Sequence, residues 1–196
     1  MLKIGLTGGM GSGKTMVAHI FEVLGIPVYY ADDEAKKLMH SNEVIKQQII
    51  DKFGNESYIN GELNRPYLSK TVFGDEQKVA QLNAIVHPAT IAAANSWMTK
   101  QTSVYAIKEA ALIFEANAQQ YVDVVIAVYA PQSIRVNRVM QRDNLTEQEV
   151  LSRMQKQMND YEKMKLADFV IYNDNVKLLI PQVLALHNQF ISHTDV

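Results

Sequence analysis

The sequence predicts a three-layer α/β fold in which a five-stranded parallel sheet is flanked by helices. Two observations support this fold class. Short apolar runs rich in β-branched residues alternate with longer helical patterns, which is the order that parallel strands and their crossover helices impose on a chain. The runs also lack a regular polar alternation, as expected for strands that are buried on both faces. The predicted strands are residues 2–7, 26–30, 104–107, 122–129 and 169–172.

Helical patterns occupy the segments between and after these strands. They cover residues 14–24, 33–100, 131–157 and 176–191. The second of these segments is far longer than one crossover helix requires, and the turn signals at 54–55 (GN) and 60–61 (NG) divide it. We therefore expect one domain, 1–196, in which residues 33–103 form an inserted helical subdomain.

Composition and charge are those of an ordinary globular domain. The chain has 196 residues, of which 47% are hydrophobic and 20% are charged. It has no cysteine, which excludes disulfides, thiolate metal sites and thiol catalysis. A net charge of −2 argues against a nucleic-acid partner, and the apolar run 124–130 is too short to span a bilayer. The N-terminus lacks the pattern of a signal peptide, so we expect a cytoplasmic protein with no membrane partner.

The strongest motif is a phosphate loop at residues 8–15 (GGMGSGKT), which satisfies G-x-x-x-x-G-K-[ST] between a strand and a helix. Its glycines let the backbone N–H groups turn towards phosphate oxygens, and the helix adds its positive dipole end. We expect Lys14 to reach the β- and γ-phosphates and the Thr15 hydroxyl to ligate Mg²⁺. The loop predicts a nucleoside triphosphate site, formed by Gly8, Gly9, Gly11, Ser12, Gly13, Lys14 and Thr15.

Missing motifs narrow the class of nucleotide-binding protein. The chain has no guanine-reading N-K-x-D string and no LSGGQ-like segment of a transporter ATPase. The D-x-x-G string at 51–54 lies at the end of a helical pattern and not after a buried strand. Small size and the early position of the phosphate loop favour a P-loop kinase that acts on a small molecule.

Carboxylates follow two of the predicted strands, at the sheet edge where open α/β folds bind their ligands. Asp32 and Asp33 come directly after the second strand, where a base or orienting group for the acceptor hydroxyl is needed. The alternative is helix capping, and we favour Asp32 for chemistry. Glu109 follows the third strand and either holds Mg²⁺ or its water, or is a solvated or capping residue.

Four of the five arginines are clustered in one region, as Arg135, Arg138, Arg142 and Arg153. The first three share a helix face, and a capping box at 146–149 (TEQE) signals a second helix. The two helices form a hairpin with Arg142 close to its tip. We expect residues 131–160 to be a lid whose Arg142 closes over the transferring phosphoryl group. A solvated charged face is the alternative, and it stays open for Arg135 and Arg153.

These residues resemble the dephospho-CoA kinase family along almost the whole chain. The segments that carry the resemblance, besides the phosphate loop, are 25–32 (GIPVYYAD), 82–88 (LNAIVHP), 112–115 (LIFE), 138–143 (RVMQRD) and 167–173 (ADFVIYN). They are similar to the family's G-x-x-V-x-D-A-D segment, its L-x-x-x-x-H-P helix, the end of its PLLFE string, its lid and its A-D-x-V-I-x-N strand. Tyr30 replaces the first aspartate of D-A-D, and Ala111 replaces the proline of PLLFE.

The resemblance implies that ATP phosphorylates the ribose 3′-hydroxyl of dephospho-CoA to give coenzyme A, with Mg²⁺ near Thr15. It places the ATP phosphates on residues 11–16, which adds Met16 to the loop residues. The catalytic residues would be Asp32, Lys14 and Arg142. Because Tyr30 stands in place of the usual aspartate, Asp32 is the single strong candidate for the base.

Three further residues are assigned through the resemblance. His87 and Arg138 would contact substrate, and Asn173 would lie at the adenine side. A histidine before a proline is otherwise typical of a helix boundary. The alternative functions are a kinase for a nucleoside monophosphate or shikimate, or a nucleotide-sensing module. We expect a monomer or a weak homo-oligomer.

Overall fold

The structure is a computed structural model that describes residues 1–72 and 74–192. Its strands, in chain order, are β1 (Leu2–Thr7), β2 (Val28–Tyr30), β3 (Tyr58–Ile59), β4 (Glu62–Leu63), β5 (Tyr105–Glu109), β6 (Val124–Tyr129) and β7 (Phe169–Tyr172). Its helices are α1 (Lys14–Val23), α2 (Ala31–Ser41), α3 (Glu43–Phe53), α4 (Arg65–Val72), α5 (Glu76–Thr99), α6 (Gln132–Asp143), α7 (Glu147–Met154), α8 (Asp160–Leu166) and α9 (Leu179–Ser192). None of the helices in this described part of the chain is long and apolar enough to cross a membrane.

Within the described residues, five strands form one parallel sheet in the order β2-β5-β1-β6-β7. The predicted fold class, a five-stranded parallel sheet flanked by helices, is therefore confirmed. β1 occupies the centre, between β5 and β6, so the phosphate loop that follows it leaves from the middle of the carboxyl edge. The short strands β3 and β4 form a separate antiparallel pair, which the prediction of a purely helical insert lacked.

The chain divides into two compact units. The first consists of Met1–Tyr30 and the chain from Lys100 onward, and it contains the parallel sheet. The second is the uninterrupted stretch Ala31–Thr99. The sequence prediction gave 33–103 for the insert, which starts and ends a few residues later than this unit.

The sheet of the first unit is buried because its strands carry aliphatic side chains on both faces. Ile4 and Leu6 of β1 and Ile126 of β6 are fully buried, and Phe21 of α1 and Phe190 of α9 belong to the same apolar cluster. Full burial of one such side chain stabilises a fold by about 1.5–3 kcal/mol. The core therefore fixes the edge from which the phosphate loop emerges.

The second unit has its own apolar core. Its central residues come from α3, α4 and α5, and they are Ile45, Ile49, Phe53, Leu68 and Val86. The β3–β4 hairpin turns at Asn60 and Gly61, whose φ angles of 52° and 81° are those of a two-residue hairpin turn. The Tyr58 hydroxyl donates a hydrogen bond to the Met39 carbonyl at 2.7 Å and ties this hairpin to the end of α2.

Candidate functional site

The phosphate loop connects β1 to α1 and depends on glycine at its tightest positions. Gly11 and Gly13 have φ angles of 79° and 92°, which other residues adopt only with strain. A Cβ at Gly13 would collide with the side-chain amide of Asn173. Lys14 opens α1, and its Nζ donates a hydrogen bond to the Gly8 carbonyl at 2.9 Å. The lysine thus folds back across the loop.

Arg138 and Asn173 hold the carbonyl oxygens on one side of this loop. Arg138 Nη1 lies 3.4 Å from the Gly11 oxygen and 3.5 Å from the Ser12 oxygen, and Asn173 Nδ2 donates to the Ser12 oxygen at 2.8 Å. Arg138 Nη2 also donates to the Asn173 carbonyl at 3.1 Å and to the Asn175 side chain at 2.7 Å. With both Nη atoms engaged, a direct contact from Arg138 to substrate would have to use Nε.

The backbone of Met10, within the same loop, is held at both its carbonyl and its N–H group. Arg135 and Gln157 bind these two groups, and Asp160 pairs with Arg135; we call these three residues the loop clamp. Arg135 Nη1 donates to the Met10 oxygen at 3.2 Å, and the Met10 N–H donates to Gln157 Oε1 at 2.9 Å. Arg135 Nη2 is paired with the Asp160 carboxylate. A Cβ at Gly9 would collide with both Arg135 and Asp160, so the clamp also requires glycine there.

The alternative of a solvated face is wrong for Arg135, whose side chain is only 7% exposed and is paired with Asp160. The reason is its place on α6, where it faces the phosphate loop instead of water. Sequence reasoning missed Gln157 and Asp160, because neither belongs to a motif. The one local signal is Asn159, which caps α8 by accepting from the Tyr161 N–H at 2.9 Å.

Arg142 lies one turn beyond Arg138 on the same face of α6. Its side chain is 66% exposed and forms a two-pronged pair with Asp143, with Nε–Oδ1 2.7 Å and Nη2–Oδ2 2.9 Å. The hydrogen bonds from Arg142 lower the pKa of Asp143 below its ordinary value, and the same contact raises the pKa of Arg142. The predicted capping box of α7 is confirmed, with Thr146 and Glu149 capping each other's backbone.

Thr15 and Met16 lie in the first turn of α1 with exposed side chains. The Thr15 hydroxyl has no hydrogen-bond partner among the residues that the structure describes.

Glu109 ends β5 beside Leu6 and is buried, so the alternative of a solvated Glu109 is wrong. Residues 1–72 and 74–192 hold no cluster of three or more acidic or histidine side chains able to bind a metal.

Asp32 and Asp33 lie in the second unit, inside the first turn of α2. Because α2 begins at Ala31, neither aspartate is the residue that precedes the helix, and the capping alternative is wrong for both. Asp33 Oδ1 accepts a hydrogen bond from Lys36 Nζ at 2.6 Å. The exposed Asp32 carboxylate has no such partner within the described part of the chain. Tyr30 donates to Glu22 Oε2 at 2.9 Å.

His87 lies inside α5 and its side chain is exposed. The expectation of a helix boundary is wrong, because α5 continues through Pro88 to Thr99. The His87 carbonyl accepts a hydrogen bond from Thr90 Oγ1 at 2.9 Å. A contact of His87 with substrate stays a prediction.

Known proteins match this chain over nearly its whole length. A sequence profile described as dephospho-CoA kinase matches residues 2–178. A dephospho-CoA kinase of Bacteroides fragilis is 39% identical over 186 residues, which cover 94% of this chain and 91% of that protein. A solved structure from Thermus thermophilus aligns with a TM-score of 0.85 at 28% identity, covering 98% and 97% of the two chains. The solved dephospho-CoA kinase of Campylobacter jejuni aligns with a TM-score of 0.71 at 27% identity, covering 99% and 98%. The chain belongs to the dephospho-CoA kinase family.

Proposed function

We propose that this chain transfers the γ-phosphoryl group of ATP to the ribose 3′-hydroxyl of dephospho-CoA, which gives coenzyme A and ADP. The phosphate loop is the observation that carries the proposal. Arg135, Arg138 and Asn173 hold its carbonyl oxygens. Among the loop N–H groups, those of Met10 and Ser12 donate within the protein, and those of Gly11 and Gly13 would face an anion, as a triphosphate site requires. Membership of the family supplies the acceptor.

On the nucleotide side, the loop residues 8–13 and the first turn of α1, including Met16, would hold the phosphates. Lys14 would exchange its hydrogen bond with the Gly8 carbonyl for the β- and γ-phosphate oxygens. Thr15 is the residue that would hold Mg²⁺, which neutralises phosphate charge when bound. Asn173 would lie at the adenine side of the nucleotide site, while its side-chain amide donates a hydrogen bond to the Ser12 carbonyl of the loop.

On the acceptor side, Asp32 would orient the 3′-hydroxyl and receive its proton. The 3′-oxygen attacks the γ-phosphorus in line, and the bond to the β–γ bridging oxygen breaks as ADP leaves. Arg142 would leave Asp143 and place its planar guanidinium on the transferring group. His87 and Arg138 would also contact the substrate, and Arg138 would do so through Nε.

A coupled assay of ADP release tests the function with Mg-ATP and four acceptors: dephospho-CoA, AMP, CMP and shikimate. We expect turnover with dephospho-CoA to exceed that with the other three, and Lys14→Ala to lower kcat by at least about a hundredfold. Preference for AMP, CMP or shikimate would identify another small-molecule kinase. ATP binding without acceptor-dependent ADP release would identify a nucleotide-sensing module.

We also propose that the enzyme acts in the cytoplasm as a monomer or weak homo-oligomer. The cysteine-free composition is compatible with a reducing compartment. Sedimentation velocity over a range of protein concentrations checks the oligomeric state, and a tight dimer at the lowest concentration would contradict it.

A further inference from the structure

The second unit carries an open pocket in which half of the lining residues are cations. It is lined by Lys36, Lys37, His40, Glu62, Leu63 and Arg65. Three of these side chains are permanent cations, a fourth is a histidine and one is an acid. All six belong to the stretch Ala31–Thr99, so the pocket is complete within one compact unit.

The backbone that carries these side chains is fixed by hydrogen bonds. The Tyr58 hydroxyl joins the β3–β4 hairpin to the Met39 carbonyl at the end of α2. Asn64 Oδ1 accepts from the Tyr67 N–H at 3.3 Å and thereby caps the helix that Arg65 opens. The backbone around the pocket is therefore fixed, whereas the charged ends of its side chains can change conformation.

The cations of the pocket are only weakly engaged. Lys36 pairs with Asp33 at 2.6 Å and Lys37 pairs with Glu34 one turn away on the same helix. Exposed pairs at this spacing contribute little and are screened by salt. Arg65 is exposed and has no hydrogen-bond or ion-pair partner among the described residues. A multiply charged anion would thus compete well for these side chains.

The single acid of the pocket does not cancel this charge. The Glu62 side chain is 77% exposed, and its Oε1 lies 3.8 Å from His40 Nε2. Water therefore solvates Glu62, and the closest basic side chain to it is that of His40. The rest of the lining consists of Lys36, Lys37, Arg65 and Leu63.

The position of the pocket along α2 relates it to the acceptor. Lys36 follows Asp32 by one helical turn on the same face, a rise of about 6 Å, and His40 follows by one more turn. The ribose 3′-oxygen and the 5′-phosphate of a nucleotide are separated by a span of the same order. A ribose whose 3′-hydroxyl lies at Asp32 can therefore extend its 5′-diphosphate along α2 to the pocket.

We propose that this pocket binds the diphosphate of dephospho-CoA, with Arg65 and Lys36 as its principal ligands. The inference rests on the proposed function and on the role of Asp32 in it. Arg65 would bind two phosphate oxygens through its planar fork, and Lys36 would supply a mobile point charge.

Steady-state kinetics of Arg65→Ala and Lys36→Ala test the proposal. We expect KM for dephospho-CoA to rise at least about tenfold in each variant, while KM for ATP and kcat at saturation change little. Adenosine, which lacks the diphosphate, is then used at saturating ATP as an inhibitor competitive with dephospho-CoA. Its inhibition constant should be the same in the wild type and both variants.

The matched control is Lys70→Ala, because Lys70 is an exposed cation on the same helix as Arg65 but does not line the pocket. If both pocket variants keep a KM for dephospho-CoA within about twofold of this control, the pocket is not a diphosphate site. An equal loss of adenosine affinity in both would also overturn the proposal. A wild type that never phosphorylates dephospho-CoA would instead overturn the proposed function.

Discussion

At the scale of single residues, the two aspartates that open α2 differ in their partners. Asp33 is paired with Lys36, whereas the Asp32 carboxylate is exposed and unpaired among the described residues. Asp32→Asn keeps the shape of the side chain but removes its basicity. We expect phosphoryl transfer to dephospho-CoA to fall by about 10²–10⁴-fold, with unchanged ATP affinity. ADP release and ATP titration measure the two quantities.

The neighbouring substitution Asp33→Asn is the control for this prediction. It removes only an exposed pair with Lys36, so turnover should stay close to that of the wild type. An Asp32→Asn variant that binds ATP normally and retains more than about a tenth of the wild-type rate would contradict the catalytic role of Asp32.

Arg142 is the second residue whose role is open to a direct test. Its guanidinium already makes a two-pronged pair with the Asp143 carboxylate, which shows that its fork is presented at the end of α6. Arg142→Lys keeps the charge and loses the fork, so we expect kcat to fall at least about tenfold. Arg153→Lys is the control, and stopped-flow or coupled turnover measures kcat. If Arg142→Ala and the wild type have the same kcat and the same KM for ATP, Arg142 has no role in phosphoryl transfer and is only a charged surface residue.

The phosphate loop is predictable from sequence because its chemistry requires fixed residue types at fixed spacing. The supporting residues are not, because distant segments supply them. Arg135 and Asp160 meet only after α6 and α8 have packed beside the loop, and no local pattern records that contact. The burial of Glu109 likewise depends on the strand order, which the sequence pattern leaves undetermined.

At the scale of secondary-structure elements, the loop clamp joins α6 and the start of α8 to the phosphate loop. Asp160→Asn leaves the Arg135 charge buried without its partner, and breaking such a pair costs about 3–5 kcal/mol. We expect a lower melting temperature and a KM for ATP that rises at least about tenfold, because the Met10 peptide loses its support. KM for dephospho-CoA should not change.

Glu162→Gln is the matched control for the clamp, since Glu162 is an exposed acid on the same helix. Thermal unfolding and ATP titration of the two variants separate stability from binding. If Asp160→Asn melts earlier but binds ATP as tightly as Glu162→Gln, the pair supports only the fold and does not position the loop.

The elements themselves follow the sequence patterns to different degrees. The strands of the parallel sheet are recognisable because apolar runs fill a buried sheet. The β3–β4 hairpin escaped prediction although Asn60-Gly61 is a strong hairpin signal, because its two-residue strands are too short to show alternation. In α5, Pro88 removes one backbone donor without ending the helix, so this local breaker signal does not mark a helix boundary here.

At the scale of the whole molecule, an ion pair between the buried Lys163 and the half-buried Glu115 connects three distant segments of the first unit. Lys163 Nζ lies 2.8 Å from Glu115 Oε1 and donates a hydrogen bond to the Ala111 carbonyl at 3.0 Å. The same Ala111 carbonyl accepts a hydrogen bond from Thr7 Oγ1 at 3.2 Å. Glu115 Oε1 further accepts from the Met158 N–H at 2.9 Å. These bonds hold the loop at Ala111 in place although it lacks the family's proline.

This network makes the stability of the protein depend on pH. Burial alone raises the pKa of Glu115, but the hydrogen bonds from Lys163 and the Met158 N–H outweigh it, so the pKa lies below its ordinary value of 4.5. Because the pKa is depressed in the folded state, this stabilisation is present above about pH 4.5 and is lost as the pH falls through the folded-state pKa. Glu115→Gln should lower the free energy of unfolding by about 3 kcal/mol at neutral pH.

Urea unfolding between about pH 7 and about pH 3.5 checks this prediction. The wild type should lose stability over the acid part of that range, and Glu115→Gln should lose less. Glu147→Gln, which changes an exposed acid in the first turn of α7, is the control and should follow the wild type. If the free energy of unfolding falls with pH by the same amount in the wild type and in Glu115→Gln, the pH dependence does not come from Glu115.

The second unit is a single uninterrupted stretch of chain, and this has a consequence for how such enzymes diversify. The residues that hold the phosphate loop, Arg135, Arg138, Asp160 and Asn173, all lie outside Ala31–Thr99. One genetic exchange of that stretch would therefore replace Asp32 and the cationic pocket together and leave these four residues in place. On the proposed function, such an exchange would change the acceptor in one recombination event and would keep the residues that support the phosphate loop.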